Sequence, residues 1–241
     1  QPLFAQTRKE CANMPIDTAA LVKAEAYALQ RAPEAAPQAV SRLIKVYFHV
    51  CRNDAGTAEA ATAEEIEEEF NMMVSKYAAN GLCFANMGTN FINSTEINYN
   101  LDPDVSADVD LLDPFLIPNC LNIFIHQELA GYRGNAYGIP NIFCSIARSG
   151  LGAPKSMTHE VGHCFGLSHT HAGCSNTYIS GTNCSATGDR VCDTPADPYC
   201  FEDENCFSTS ATGCGYMGTC EDAGGQDNWS PPYNNIISDL S

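Results

Sequence analysis

At 241 residues the chain is long enough to bury a sizeable core, as one large domain or two small ones. Its 29 acidic and 12 basic residues give a formal net charge of −17, which excludes a surface that attracts nucleic acid or an anionic membrane. No apolar run approaches the roughly 18 residues of a spanning helix, and Gln1–Gln6 lacks the charged and apolar regions of a signal peptide, so any such peptide is expected to have gone already.

Thirteen cysteines are many for this length, and they gather towards the C-terminal half. None stands in a C-x-x-C pair, which argues against a zinc ribbon or thioredoxin-like centre and for disulfides made in an oxidising compartment. The count is odd, so one thiol is left over.

Residues 1–40 read as a segment apart. Arg8-Lys9-Glu10-Cys11 is followed by an alanine-rich stretch with Pro15, Pro33 and Pro37. Leu21 to Leu29 suits a short helix, and residues 31–38 suit an exposed linker. From Arg42 the pattern changes: Ile44, Val46, Phe48 and Val50 alternate with Lys45, Tyr47 and His49, predicting a strand that ends at Asp54-Ala55-Gly56. Thr62-Ala63-Glu64-Glu65 is a capping-box signature, and Ile66, Phe70, Met73, Val74 and Tyr77 form an apolar stripe at helical spacing before Gly81. The charge run Glu64 to Glu69 is expected on the solvated face of that helix.

A second strand is expected from Leu82, continuing towards Ile92, and strand–helix–strand order implies parallel pairing. Cys51 and Cys83 are candidates for a bridge between the two strands. Residues 100–119, rich in aspartate and proline, read as surface loop. Cys120 to His126 reads as a third strand, Gly131 to Pro140 as a loop, and Asn141 to Ala147 as a short fourth strand at the sheet edge. His49 and His126 fall on strands, where hydrogen-bonded sheet histidines are expected.

Thr158 to His171 reads T-H-E-V-G-H-C-F-G-L-S-H-T-H. On a helix His159 and His163 are i and i+4, so both imidazoles leave one face. Glu160 stands where H-E-x-x-H metal hydrolases carry their general base. On a continuous helix His169 would lie about 9 Å up the axis from His163, beyond the reach of one zinc ion. The chain must therefore turn, and Gly166 is the residue that can adopt a left-handed conformation there. Three neutral imidazoles and one open position make the catalytic zinc arrangement. Cys164 lies about 100° around the helix from His163 and is expected in the core or a disulfide. Beyond the motif, cysteines at 174, 184, 192, 200, 206, 214 and 220 sit among small polar residues without a repeat, a stretch that needs staples.

The pattern H-E-x-x-H-x-x-G-x-x-H at 159–169 resembles that of the metzincin clan of zinc peptidases. Within the clan the chain resembles the pappalysin family, on the residues His159 to His171, on Gly188-Asp-Arg-Val-Cys-Asp-Thr-Pro-Ala196, and on the strand I-K-V-Y-F-H-V before a helix. The resemblance implies an α/β (α+β) fold: a metzincin-type catalytic domain over residues 42–241, preceded by a pro-segment over residues 1–41. Its N-terminal subdomain (42–166) would hold a twisted, mostly parallel sheet of about five strands, a backing helix and the active-site helix. Its C-terminal subdomain (167–241) would be irregular and disulfide-rich. It also implies calcium at Asp189 and Thr194, which on spacing alone belong to an ordinary Asx-rich turn.

Two departures stand against this pattern. Ile237 and Asp239 occupy the places of the family's Met-turn methionine and tyrosine, with Met217 too far upstream to replace the former. The family also continues past the point matching Ser241, which leaves a truncated, a frame-shifted and a weakened member as open readings. The expectation is a secreted zinc endopeptidase held latent by Cys11, which fills the fourth zinc position. Zinc sits on His159, His163 and His169, and Glu160 serves as general base. Its expected partners are protein or peptide substrates of a monomer, without nucleic acid or membrane. The alternative is a catalytically weakened or inactive, zinc-containing secreted binding protein.

Overall fold

The computed structural model describes residues 42–152, 155–170 and 182–192. The chain divides into two compact units, the first ending at Gly166 and the second beginning at Leu167. The first unit is a mixed α/β fold around one five-stranded, mostly parallel sheet. No helix among the described residues is long and apolar enough to cross a membrane.

Strand β1 spans Arg42–Arg52, helix α1 Ala63–Tyr77 and strand β2 Leu82–Asn93. The alternation of Ile44, Val46, Phe48 and Val50 aims one row of β1 at α1, and β1 pairs with β2 in parallel. The helix starts where the capping box predicts. The Thr62 hydroxyl accepts from Glu65 N at 3.2 Å and Glu65 Oε2 accepts from Thr62 N at 2.8 Å, satisfying two otherwise orphaned donors. Glu65 also receives both guanidinium nitrogens of Arg148, which fastens the end of the sheet to the start of α1.

Strand β3 (Leu121–His126) lies beside β1 and is buried at every residue, as suits a central parallel strand covered on both faces. Strand β4 spans Gly134–Ala136 and β5 Phe143–Ala147. The sheet order is β2-β1-β3-β5-β4, with β4 antiparallel to β5. Helix α2, Ser156–Cys164, covers β4 and β5. Two apolar clusters result. One holds Phe48, Ile123, Ile125 and Ile146 against Met73, Met157 and Val161 of the helices; the other holds Phe124 and Phe143 with Leu101, Leu112 and Leu129.

Several expectations are corrected. The stretch 100–119 is not a plain surface loop. It carries a one-turn helix at Ser106–Val109 and a 3₁₀ segment at Asp110–Phe115, and it buries Leu101 and Leu112 in the second cluster. The loop expected from Gly131 to Pro140 contains β4, so the edge of the sheet is β4 and not the strand at 141–147. Glu69 does not belong to a solvated face. It is buried and accepts a hydrogen bond from Gly152 N; burial pushes its carboxyl up while that hydrogen bond opposes the shift.

A Cys51–Cys83 bridge is also excluded, and both thiols are free. In parallel strands the starts lie side by side: Leu43 pairs with Cys83, whereas Cys51 pairs with Ile92 at the far end. Of the second unit, residues 167–170 and 182–192 are described. Within them Cys184 and Cys192 form a disulfide.

Candidate metal centre

Helix α2 is held from two sides. Its inward residues Met157, Val161 and Cys164 pack on the sheet. The Tyr77 hydroxyl of α1 donates to Thr158 O at 2.8 Å, and Tyr77, Phe84 and Phe165 form an aromatic cluster with centroids 5.5–6.1 Å apart. Burial pushes the Tyr77 phenol well above its ordinary range, so it stays a neutral donor. The helix stops where the sequence predicts. Gly166 takes φ +99°, its N–H bonds to His163 O at 2.9 Å, and the chain leaves the helical path.

The consequence is convergence. His159 Nε2 and His163 Nε2 lie 2.9 Å apart, with rings nearly perpendicular at 89°. The ligand atoms of His159, His163 and His169 all lie within 4.8 Å of one another. Nitrogens bound tetrahedrally at 2.0–2.1 Å to one zinc ion would be roughly 3.3 Å apart. Two imidazole lone pairs this close repel unless a proton or cation lies between them. The three residues therefore form a group that could hold a metal ion. They are the one such group of His, Cys, Asp or Glu found among the described residues.

Glu160 is 1% exposed, on the helix that carries two of these histidines. Its side chain lies directly over Gly134 of β4. A Cβ built on Gly134 would fall 2.7 Å from Glu160 Cγ and 2.8 Å from Oε1. Glycine at 134 is thus what lets the carboxylate lie against the edge strand. The sequence offered only a Gly-Asn-Ala stretch in an expected loop, with nothing to link it to a residue 26 positions later.

The other histidines behave as sheet residues. Ile97 O can only accept, so His126 donates to it from Nδ1 at 2.7 Å. Nε2 then accepts from the Ser145 hydroxyl at 2.8 Å, and Ser145 Oγ accepts from Tyr137 at 2.8 Å. Burial holds the His126 pKa down to about 4, with the Ile97 carbonyl opposing. His49 places Nε2 2.9 Å from Asn122 Oδ1 and stacks on Phe124 at 4.3 Å.

Cys164 lies in the apolar core, with Sγ on Phe143 O at 3.4 Å. Asp189 accepts from Val191 N at 2.9 Å, an Asx turn, and the neighbouring Gly188 sits where a Cβ would meet Thr170 O at 2.9 Å. Cys11, Thr194, His171, Met217, Ile237 and Asp239 lie outside the described residues.

The site therefore joins a histidine group that could hold a metal ion to a buried carboxylate in a mixed α/β fold. No family model matches the chain. It is similar to an extracellular metalloprotease of Sordaria macrospora, 28% identical over 173 residues that cover 64% of this chain and 56% of that protein. A likeness of 27% over 176 residues extends to extracellular metalloprotease 1 of Coccidioides posadasii (63% and 58% covered). One of 29% over 182 residues reaches an extracellular metalloprotease of Podospora anserina (66% and 57%). The chain thus spans a little over half the length of these relatives. Among solved structures it is similar to metalloproteinase-II from Bacteroides fragilis, 12% identical, with a TM-score of 0.41 over 58% of this chain and 46% of that one.

Proposed function

We propose that the chain is a secreted zinc endopeptidase of metzincin type, with the pappalysin-like layout that its motifs resemble. The observation that carries this reading is the approach of two Nε2 atoms to 2.9 Å, with a third imidazole in reach and a buried carboxylate on the same helix. The names of the similar extracellular metalloproteases support it.

In this reading His159, His163 and His169 hold zinc, which when bound polarises a peptide carbonyl and acidifies water. Glu160 takes a proton from the attacking water and delivers it to the leaving amine. Its contact with Gly134 fixes where that carboxylate stands. The sheet edge available for pairing with an extended substrate is β4, directly beside Glu160. Cys11 belongs to the same proposal as a latch over the fourth zinc position in a precursor, and Asp189 with Thr194 as a calcium site.

The test is hydrolysis of casein by the zinc-loaded protein before and after removal of residues 1–41. Cleavage that increases on removal and stops with a chelator supports the reading. A protein that binds one zinc per chain, lacks activity in both forms and still binds peptides would favour the non-enzymatic alternative.

A further inference from the structure

Two thiols on the same face of the sheet point to a covalent link that the cysteine count leaves open. Cys144, the second residue of β5, is fully buried, and Cys164 is the last residue of α2, 4% exposed. Both belong to the apolar cluster between sheet and helices. Cys164 Sγ bonds to Phe143 O at 3.4 Å, the carbonyl of the residue just before Cys144. The backbones are tied as well, by Asn141 N donating to Cys164 O at 3.2 Å.

The other free thiols that the structure describes do not compete. Cys51 lies in the opposite cluster against His126, Cys83 is exposed at the start of β2, and Cys120 precedes β3. A thiol makes only weak hydrogen bonds, so two free thiols are a poor use of two buried positions in an apolar cluster. Cys184 and Cys192 are already joined in the same chain.

We propose that Cys144 and Cys164 form a disulfide that fastens the last turn of α2, one residue beyond His163, to β5. The oxidant is a small-molecule or protein disulfide of an oxidising compartment. One cysteine thiolate attacks it, forming a mixed disulfide and releasing one thiol. The second thiolate then attacks the protein sulfur of that mixed disulfide and releases the other thiol. Two protons leave the cysteines, two electrons pass to the oxidant, and one S–S bond replaces another. Because both sulfurs are buried in the folded chain, the exchange takes place before α2 docks. This inference does not depend on the proposed activity.

The experiment uses the full chain made in an oxidising compartment, denatured and alkylated without reductant, then digested for mass spectrometry. The expected result is one Cys144–Cys164 linked peptide, lighter by two hydrogens than its separated halves. Alkylation of both residues, or linkage of either to another cysteine, overturns the proposal. As a second measurement, Cys144→Ala, Cys164→Ala and the double variant should lower Tm by a common amount, roughly 6–12 °C, because each removes the same closed loop. Losses that add between the two sites would contradict a bond.

Discussion

The sheet histidines and the helix histidines set one residue type in two environments. His126 has a fixed partner at each nitrogen: it gives a proton to Ile97 O and takes one from Ser145, whose own acceptor site is filled by Tyr137. His159 and His163 instead turn Nε2 atoms towards each other at 2.9 Å, with His169 in the same group. The difference is not burial, since His126 and His163 are both buried. It is what the ring nitrogens face. A histidine whose partners are all protein atoms is a structural cross-link; histidines whose ring nitrogens face one another form a place for a cation.

The sharpest way to break that contrast is His163→Ala. Loss of one of three ligands should remove the metal or leave it weakly held, and activity should fall to background. Metal analysis after dialysis checks it. Unchanged stoichiometry would mean that the helix histidines are no more a metal site than His126.

Gly134→Ala should have the next largest effect. The new methyl would meet Glu160 at 2.7–2.8 Å, so the carboxylate must move while all three histidines stay. Zinc content should hold at the wild-type level while kcat falls roughly 10–10²-fold, the scale expected for a displaced catalytic group. An equal loss of metal and activity would make Gly134 a folding residue only.

The smallest effect lies on the sheet side. His126 is held neutral, with a pKa of about 4 against 6.5 for an ordinary histidine. Between those values the unfolded chain takes up a proton that the folded chain refuses. Its contribution to stability is therefore full above about pH 6.5 and is lost as pH falls towards about 4, by roughly 3 kcal/mol. Denaturation in urea across that range, compared with His126→Gln, should show the wild type losing more stability on acidification. A parallel decline in both proteins would remove His126 from the account.

Much of this arrangement is legible in the sequence where the signal is local. Alternation gives β1, Thr62 and Glu65 give the start of α1, and the spacing of His159, His163, Gly166 and His169 gives the convergence. What escapes is set by contacts between distant residues. Gly134-Asn135-Ala136 has little strand propensity and becomes β4 only by pairing with β5. Glu69 stands in an acidic run like any solvated face, and Gly152, 83 residues later, draws it inward. Leu101 and Leu112 carry no period that would mark them as anchors within a stretch rich in aspartate and proline.

The central claim is that a carboxylate works beside three metal-holding imidazoles. Casein hydrolysis by zinc-loaded wild type and Glu160→Gln, both freed of residues 1–41 and each assayed with and without a chelator, tests it most directly. The account predicts one zinc per chain in both proteins, chelator-sensitive cleavage by the wild type, and turnover roughly 10²–10⁴-fold lower in Glu160→Gln. Equal rates in the two proteins, or cleavage that the chelator leaves untouched, would contradict it.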